Sequence, residues 1–215
     1  VSLADSGLVQ FSIFGAYFVM GIPAGLFMKK YGYKNGVLLG LGLYAIGAFL
    51  FYPAAESQSF DFFRLALFIL ACGLATLETV AHPFSAALGH EDTSEQRINL
   101  SQTFNGVGAI IGPVLGSFII LRNVPTGDVV VDLAPVKYLY IAIGLVVAAV
   151  AISFSFIKVP PLTSESSEEG TVNTGPKKGL FEHRHFIWAA IAQFFNVAAQ
   201  GATWAFFINY AVKYI

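Results

Sequence analysis

The chain has 215 residues, 56% of them hydrophobic, 15% aromatic and 12% charged, with a formal net charge of −1 and a mean hydropathy of +0.68. A soluble domain carries about a quarter charged residues, so this composition excludes an ordinary water-soluble globule and points to a membrane protein. The near-zero net charge excludes partners recruited by bulk charge, nucleic acid above all, and the single cysteine, Cys72, excludes an intrachain disulfide.

A membrane-crossing helix needs about 20 mostly apolar residues. In chain order, residues 7–28, 36–55, 65–88, 98–121, 138–157 and 186–212 meet that requirement, and among them only the third segment holds a charged side chain, Glu78. No charged n-region precedes an apolar core at the start, so no signal peptide is read there. Short polar connectors make the first five segments antiparallel neighbours. Residues 158–185, which include SESSEEGTVNTGPKK, read as a solvated linker. Lys29, Lys30, Lys34, Arg97, Lys158, Lys177, Lys178 and Arg184 fall on one face of the membrane, and Arg64, Arg122, Lys137 and Lys213 on the other. The richer face is expected to be cytoplasmic. Val1 then begins outside, which places an odd number of helices, one in the simplest count, before it in a parent with a cytoplasmic N-terminus. The expected organisation is an N-terminal helical repeat lacking its first helix (1–157), a cytoplasmic central linker (158–185) and the first helix of a C-terminal repeat (186–215). That is the layout of a two-repeat transporter, and a six-helix channel or membrane enzyme with one long loop shares it.

Glu78 lies ten residues before Leu88, hence roughly 15 Å deep. An ionised carboxylate at that depth costs several kcal/mol unless it faces a wet cavity or a partner. A carboxyl that is neutral in one exposure and charged in another is what proton coupling requires; the alternative is a structural Glu bonded to a neighbouring helix. His82 shares its face one turn on, before Pro83. A Glu–His pair is open to two readings, a proton relay or a simple hydrogen bond at a proline-loosened turn, and the second is the expectation. The next segment carries Asn99, Gln102 and Asn105 at spacings of three, then Gly108, Gly112 and Gly116 at spacings of four. Amides at lipid depth point inward and either meet sugar hydroxyls or join helices; the glycines form a small-residue stripe that permits close helix contact. In the last segment Gln193, Asn196, Gln200 and Trp204 share one stripe. A polar stripe with an aromatic face suits a sugar, while Trp204 packed on another helix is the plainer reading. Asn209 falls on the opposite face. No metal-ligand spacing, phosphate loop or Gly-x-Ser-x-Gly elbow is present in the sequence.

Gly25, Lys30, Gly32 and Lys34 in GLFMKKYGYKNG fit the G-x-L-x-D-R-x-G-R-K loop of major facilitator transporters, with Lys29 in place of its Asp. LETVAHPF, RINLSQTFNGVGAIIGP and AQFFNVAAQGATWAFFINYAV, together with GIPAGLFMKKYGYKNG and LYAIGAFLFYPAAE, resemble the fucose–proton symporter family of the major facilitator superfamily from about Gly7 to Lys213. The resemblance implies an all-α, polytopic helical membrane protein with a partial major facilitator fold, helices two to seven of twelve. It implies a transporter and not an enzyme, taking up a hexose or deoxyhexose of the fucose, galactose or glucose class by alternating access, driven by protons or in some members by sodium. Its partners would be a monosaccharide and the lipid bilayer of a plasma or bacterial inner membrane. It would have no cofactor beyond the coupling ion and no metal site, and would work as a monomer of the full-length chain. A membrane sugar sensor, or an intramembrane enzyme using Glu78 and His82 as acid and base, are the competing classes. Within the family, Glu78 matches a Glu in an E-T-x-x-N-P-F context implicated in sugar recognition and its coupling to protonation. His82 stands where the family usually has Asn. Gln102 and Asn105 match sugar-contacting positions, and the family's other coupling acid lies in a first helix that this sequence does not include.

Overall fold

The computed structural model describes residues 3–120, 129–159 and 183–214. These form α1 (Leu3–Glu56), α2 (Phe60–Ala87), a 3-10 turn (Glu91–Thr93), α3 (Ser94–Ile120), α4 (Val129–Phe156) and α5 (Arg184–Tyr214), with no strand among the described residues. The chain divides into two compact units, Val1–Ser166 and Ser167–Ile215, and α5 is described by itself. Most of the expected linker, residues 160–182, lies outside the described residues.

α1 holds two of the expected spans. Its two arms meet at Gly32, whose φ of 84° and ψ of 166° break the helix, a conformation that only a residue without Cβ adopts cheaply. At the far end of the second arm the chain turns through Ser57 and Gln58 into Ser59. The Ser59 hydroxyl caps α2 by accepting from the Phe62 N–H at 3.3 Å. Asp61 sits in the first turn of α2, where the helix dipole favours an anion, and pairs with Arg64 at 3.1 Å.

The second arm and α2 approach closely because glycine lets them. Gly36, Gly40 and Gly47, spaced four and seven apart, face Val80, Leu77 and Leu70, and Gly73 of α2 faces Tyr44. A Cβ at Gly47 would come within 2.4 Å of the Leu70 backbone nitrogen, and one at Gly73 within 2.4 Å of the Tyr44 nitrogen. Lipid offers no hydrophobic drive for helix association, so such contacts and the dispersion they allow hold helices together. Around them Ala48, Phe51, Ala66, Leu67 and Leu70 form a buried cluster. Phe51 stacks on Tyr140 of α4 with centroids 3.7 Å apart and meets Phe63 edge-on at 5.0 Å. Large apolar side chains such as Phe18 (88% exposed) and Phe156 (80%) point outward, as a lipid-facing surface requires.

Cations fasten the helix ends. Lys34 Nζ donates to the carbonyls of Ser155 at 2.7 Å and Ile157 at 2.8 Å, closing the C-terminal end of α4. Arg97 of α3 donates through Nε to the Ser85 carbonyl at 3.0 Å and through Nη2 to that of Ala86 at 2.6 Å, closing α2. These are the carbonyls a helix leaves without partners. At the opposite end Lys137 of α4 pairs with Glu56 of α1 and lies 4.3 Å from the Tyr52 ring centroid. Lys34 and Arg97 thus share one end and Arg64 and Lys137 the other, as the loop charges divide them.

α3 differs from the expectation. None of its residues is buried, and Gly108, Gly112 and Gly116 meet nothing within 4 Å. The glycines that bring helices together among the described residues are those of α1 and α2. Among the described residues four helices are long and apolar enough to cross a membrane, and the first, Gly7–Glu56, has 50 residues, the length for two crossings. α5, at 31 residues, is long enough but falls outside that set; Gln193, Asn196 and Gln200 dilute its apolar content.

Gly42 lies on the second arm of α1 with open space around it, which provides a control for the close approach at Gly73 of α2. Alanine at either position gains about 1 kcal/mol of helix propensity. Gly42→Ala should therefore hold or raise the melting temperature of the detergent-purified protein. Gly73→Ala should lower its stability by about 1–3 kcal/mol through overpacking. Equal shifts would show that the backbones do not meet at Gly73.

Candidate functional site

Pro83 lies inside α2 and has no N–H to give the Thr79 carbonyl. The helix is therefore loosened in the turn that carries Glu78 and His82. Each of these side chains reaches a different neighbour. Tyr17 Oη, from the middle of the first arm of α1, donates to Glu78 Oε1 at 3.1 Å. This is the kind of neighbouring-helix bond that the structural alternative to proton coupling called for. A phenol is a neutral donor, so it supports the carboxylate without cancelling its charge.

His82 faces α3. The Gln102 amide nitrogen lies 3.1 Å from His82 Nε2 and 3.4 Å from Nδ1, and Asn105 Nδ2 donates to Gln102 Oε1 at 3.3 Å. One turn towards the Arg97 clamp, the hydroxyls of Ser85 and Ser101 are 3.3 Å apart. The α2–α3 junction is therefore polar along its length. An imidazole and two amides form a hydrogen-bonded row between helices that are otherwise apolar.

His82, Gln102 and Asn105 are thus brought together, with Glu78 one turn away on α2. Asn99 is exposed, and its carbonyl accepts from the Thr103 hydroxyl at 3.0 Å. Gln193, Asn196 and Gln200 are exposed along α5 in the second unit; the side chains of Trp204 and Asn209 lie outside the described residues. A groove of about 340 Å³ between the first arm of α1 and α2, lined by Phe11, Ser12, Asp61, Arg64 and Phe68 among others, includes none of the expected site residues. Among the described residues, no three His, Cys, Asp or Glu side chains gather as a metal site. Tyr17 is the residue that sequence reasoning missed. Its signal was position: a phenol in the middle of a span, away from the interfacial belt that tyrosine favours, needs a polar partner.

A family model described as Major Facilitator Superfamily matches residues 1–214. The L-fucose-proton symporter of Escherichia coli (strain K12) is 41% identical over 229 aligned residues, covering 98% of this chain and 52% of that protein. The glucose/galactose transporter of Brucella abortus biovar 1 (strain 9-941) is 33% identical over 210 residues, covering 98% of this chain and 50% of that protein. Among solved structures, the E. coli fucose:proton symporter FucP matches with a TM-score of 0.74 at 38% sequence identity, over 97% of this chain and 55% of that one. FucP in the outward conformation also gives a TM-score of 0.74, over 99% of this chain and 56% of that one. The chain therefore spans about half the length of the curated relatives it matches.

The Tyr17–Glu78 bond is testable by a double-mutant cycle of thermal stability, with Tyr17→Phe, Glu78→Gln and the pair. The expected coupling is about 1 kcal/mol, the net contribution of one such hydrogen bond. Additive effects of the two substitutions would mean that the contact is not formed.

Proposed function

The chain belongs to the Major Facilitator Superfamily, and we propose that it acts in proton-coupled uptake of a hexose or deoxyhexose by alternating access. The observation that carries this reading is the polar row at membrane depth: Gln102 in contact with both Asn105 and His82, one turn from Glu78. Sugar hydroxyls both donate and accept, and side-chain amides answer both needs. The names of the relatives, a fucose-proton symporter and a glucose/galactose transporter, support the substrate class.

In this reading Gln102 and Asn105 contact the sugar from the first repeat, and Gln193, Asn196, Gln200 and Trp204 from the second. Glu78 takes and releases the coupling proton as its exposure alternates, while Tyr17 holds it in place. The end bearing Lys34 and Arg97 faces the cytoplasm of a cell membrane, and one full-length chain is the working unit.

Uptake of radiolabelled L-fucose, D-galactose and D-glucose by cells making the full-length protein tests this, at two external pH values with and without sodium. The expected result is greater accumulation at the lower pH and indifference to sodium. Accumulation only with sodium would replace the proton as coupling ion, and binding without accumulation would make the protein a sensor.

Four variants probe the roles. Glu78→Gln, a mimic of the protonated acid, should retain sugar exchange while uphill accumulation falls at least about tenfold, the loss of roughly 1.4 kcal/mol of coupling. Equal loss of both would make Glu78 structural. Gln200→Ala or Trp204→Ala should each weaken sugar binding by about 1–3 kcal/mol, with Asn209→Ala near neutral. The opposite pattern in equilibrium binding would show that the stripe packs rather than binds.

A further inference from the structure

The groove between the first arm of α1 and α2 lies apart from the row around Gln102, and its walls carry a different chemistry. At about 340 Å³ it falls in the size range of small-molecule sites. Phe11 and Phe68 supply aromatic faces, and Asp61 and Arg64 supply an ion pair at 3.1 Å. Phe68 is anchored against the buried Ala16, Ala71 and Cys72, whereas Phe11 is exposed. Arg64 Nη1 donates to Asp61 Oδ1, and Arg64 Nε is buried without a hydrogen-bond partner, a costly state for a charged donor.

Arg64 is four residues past Phe60 at the start of α2, and Phe11 four past Gly7, roughly 6 Å from the end of each span. This is the end opposite Lys34 and Arg97. The Asp61 side chain is 89% exposed, and a carboxylate facing acyl chains is costly, so the mouth of the groove opens to water. Deeper along the same seam of α1 and α2, Tyr17 meets Glu78.

A guanidinium beside a carboxylate is close to neutral as a pair. An anion drawn to Arg64 would be repelled by Asp61, and a cation drawn to Asp61 would be repelled by Arg64, so charge favours a neutral ligand. That ligand has to donate to a carboxylate, accept from a guanidinium and lay an apolar face on an aromatic ring. Adjacent hydroxyls on a pyranose ring meet all three demands. We propose that this groove is an outer sugar subsite, in which Asp61 and Arg64 hold a monosaccharide against Phe11 before it reaches the central row. The proposal rests on the sugar reading above and adds to it a first station at the end away from Lys34 and Arg97.

The test follows thiol labelling of the full-length protein in lipid nanodiscs, with Leu65→Cys placed in a Cys72→Ala background. Leu65 lines the groove and is exposed. A membrane-impermeant maleimide is applied with and without L-fucose or D-galactose, and modification at position 65 is read by mass spectrometry of its peptide. Sugar at twice its Kd should slow labelling about threefold, since two-thirds of the sites are then filled. That protection should persist when Gln102→Ala and Asn105→Ala remove the central contacts. Arg64→Gln or Phe11→Ala should raise the sugar concentration for half-protection about tenfold, as expected for losing a charged hydrogen bond or a stacking face. Phe11→Ala, at an exposed position, serves where Arg64→Gln fails to fold. Protection that disappears with the central contacts would overturn the proposal, as would protection indifferent to both groove variants or a position 65 that the maleimide never reaches. Labelling unaffected by a sugar that the protein still accumulates would remove the outer subsite and leave transport standing. Protection without accumulation would support the subsite while the transport reading fails.

Discussion

Backbone groups in a bilayer must find partners within the protein, and the places where a helix stops are where that requirement bites. α2 and α4 end at the same side of the first unit, and each has its last carbonyls taken by a cation from another element, Arg97 and Lys34 respectively. These bonds also fix connectivity. Lys34 follows the break at Gly32, so the turn between the arms of α1 is tied to the end of α4, some 120 residues later in sequence. Arg97 opens α3 and is tied to the end of α2. The basic residues that orient a membrane protein by their loop charge are here also the caps of its helices.

Between those ends, two kinds of contact divide the labour. α1 and α2 meet through backbone-to-backbone approach at Gly47 and Gly73, a surface that cannot slide without a clash. α2 and α3 meet through hydrogen bonds from His82, Ser85 and the Arg97 clamp, with no residue of α3 buried. Dense packing admits few alternative arrangements, whereas hydrogen-bonded side chains can exchange partners without moving the backbone.

The number and placing of the helices were legible because a run of apolar residues long enough to cross a bilayer is a strong signal, and Gly32 and Ser59 mark their boundaries by backbone chemistry. Glu78, His82, Gln102 and Asn105 were legible as residues because polar groups at that depth are costly. Their pairing was not. Spacing along one helix says which side chains share a face, but not which face of which other helix it meets. For that reason Tyr17 passed as one aromatic among many, and the stripe of Gly108, Gly112 and Gly116 drew notice that belonged to Gly36, Gly40, Gly47 and Gly73. Both sets have the spacing for close contact; only the second has a neighbour among the described residues.

The polar row also bears on why an asparagine and a histidine can occupy the same place before Pro83. Either side chain carries both a donor and an acceptor, so either offers a polar partner to the junction of α2 and α3. They differ in that an amide donates and accepts at every pH, while an imidazole has one donor and one acceptor when neutral and only donors when protonated. A structural demand alone would leave the choice between them indifferent. A proton-sensitive demand would not, because only the imidazole changes between those two states.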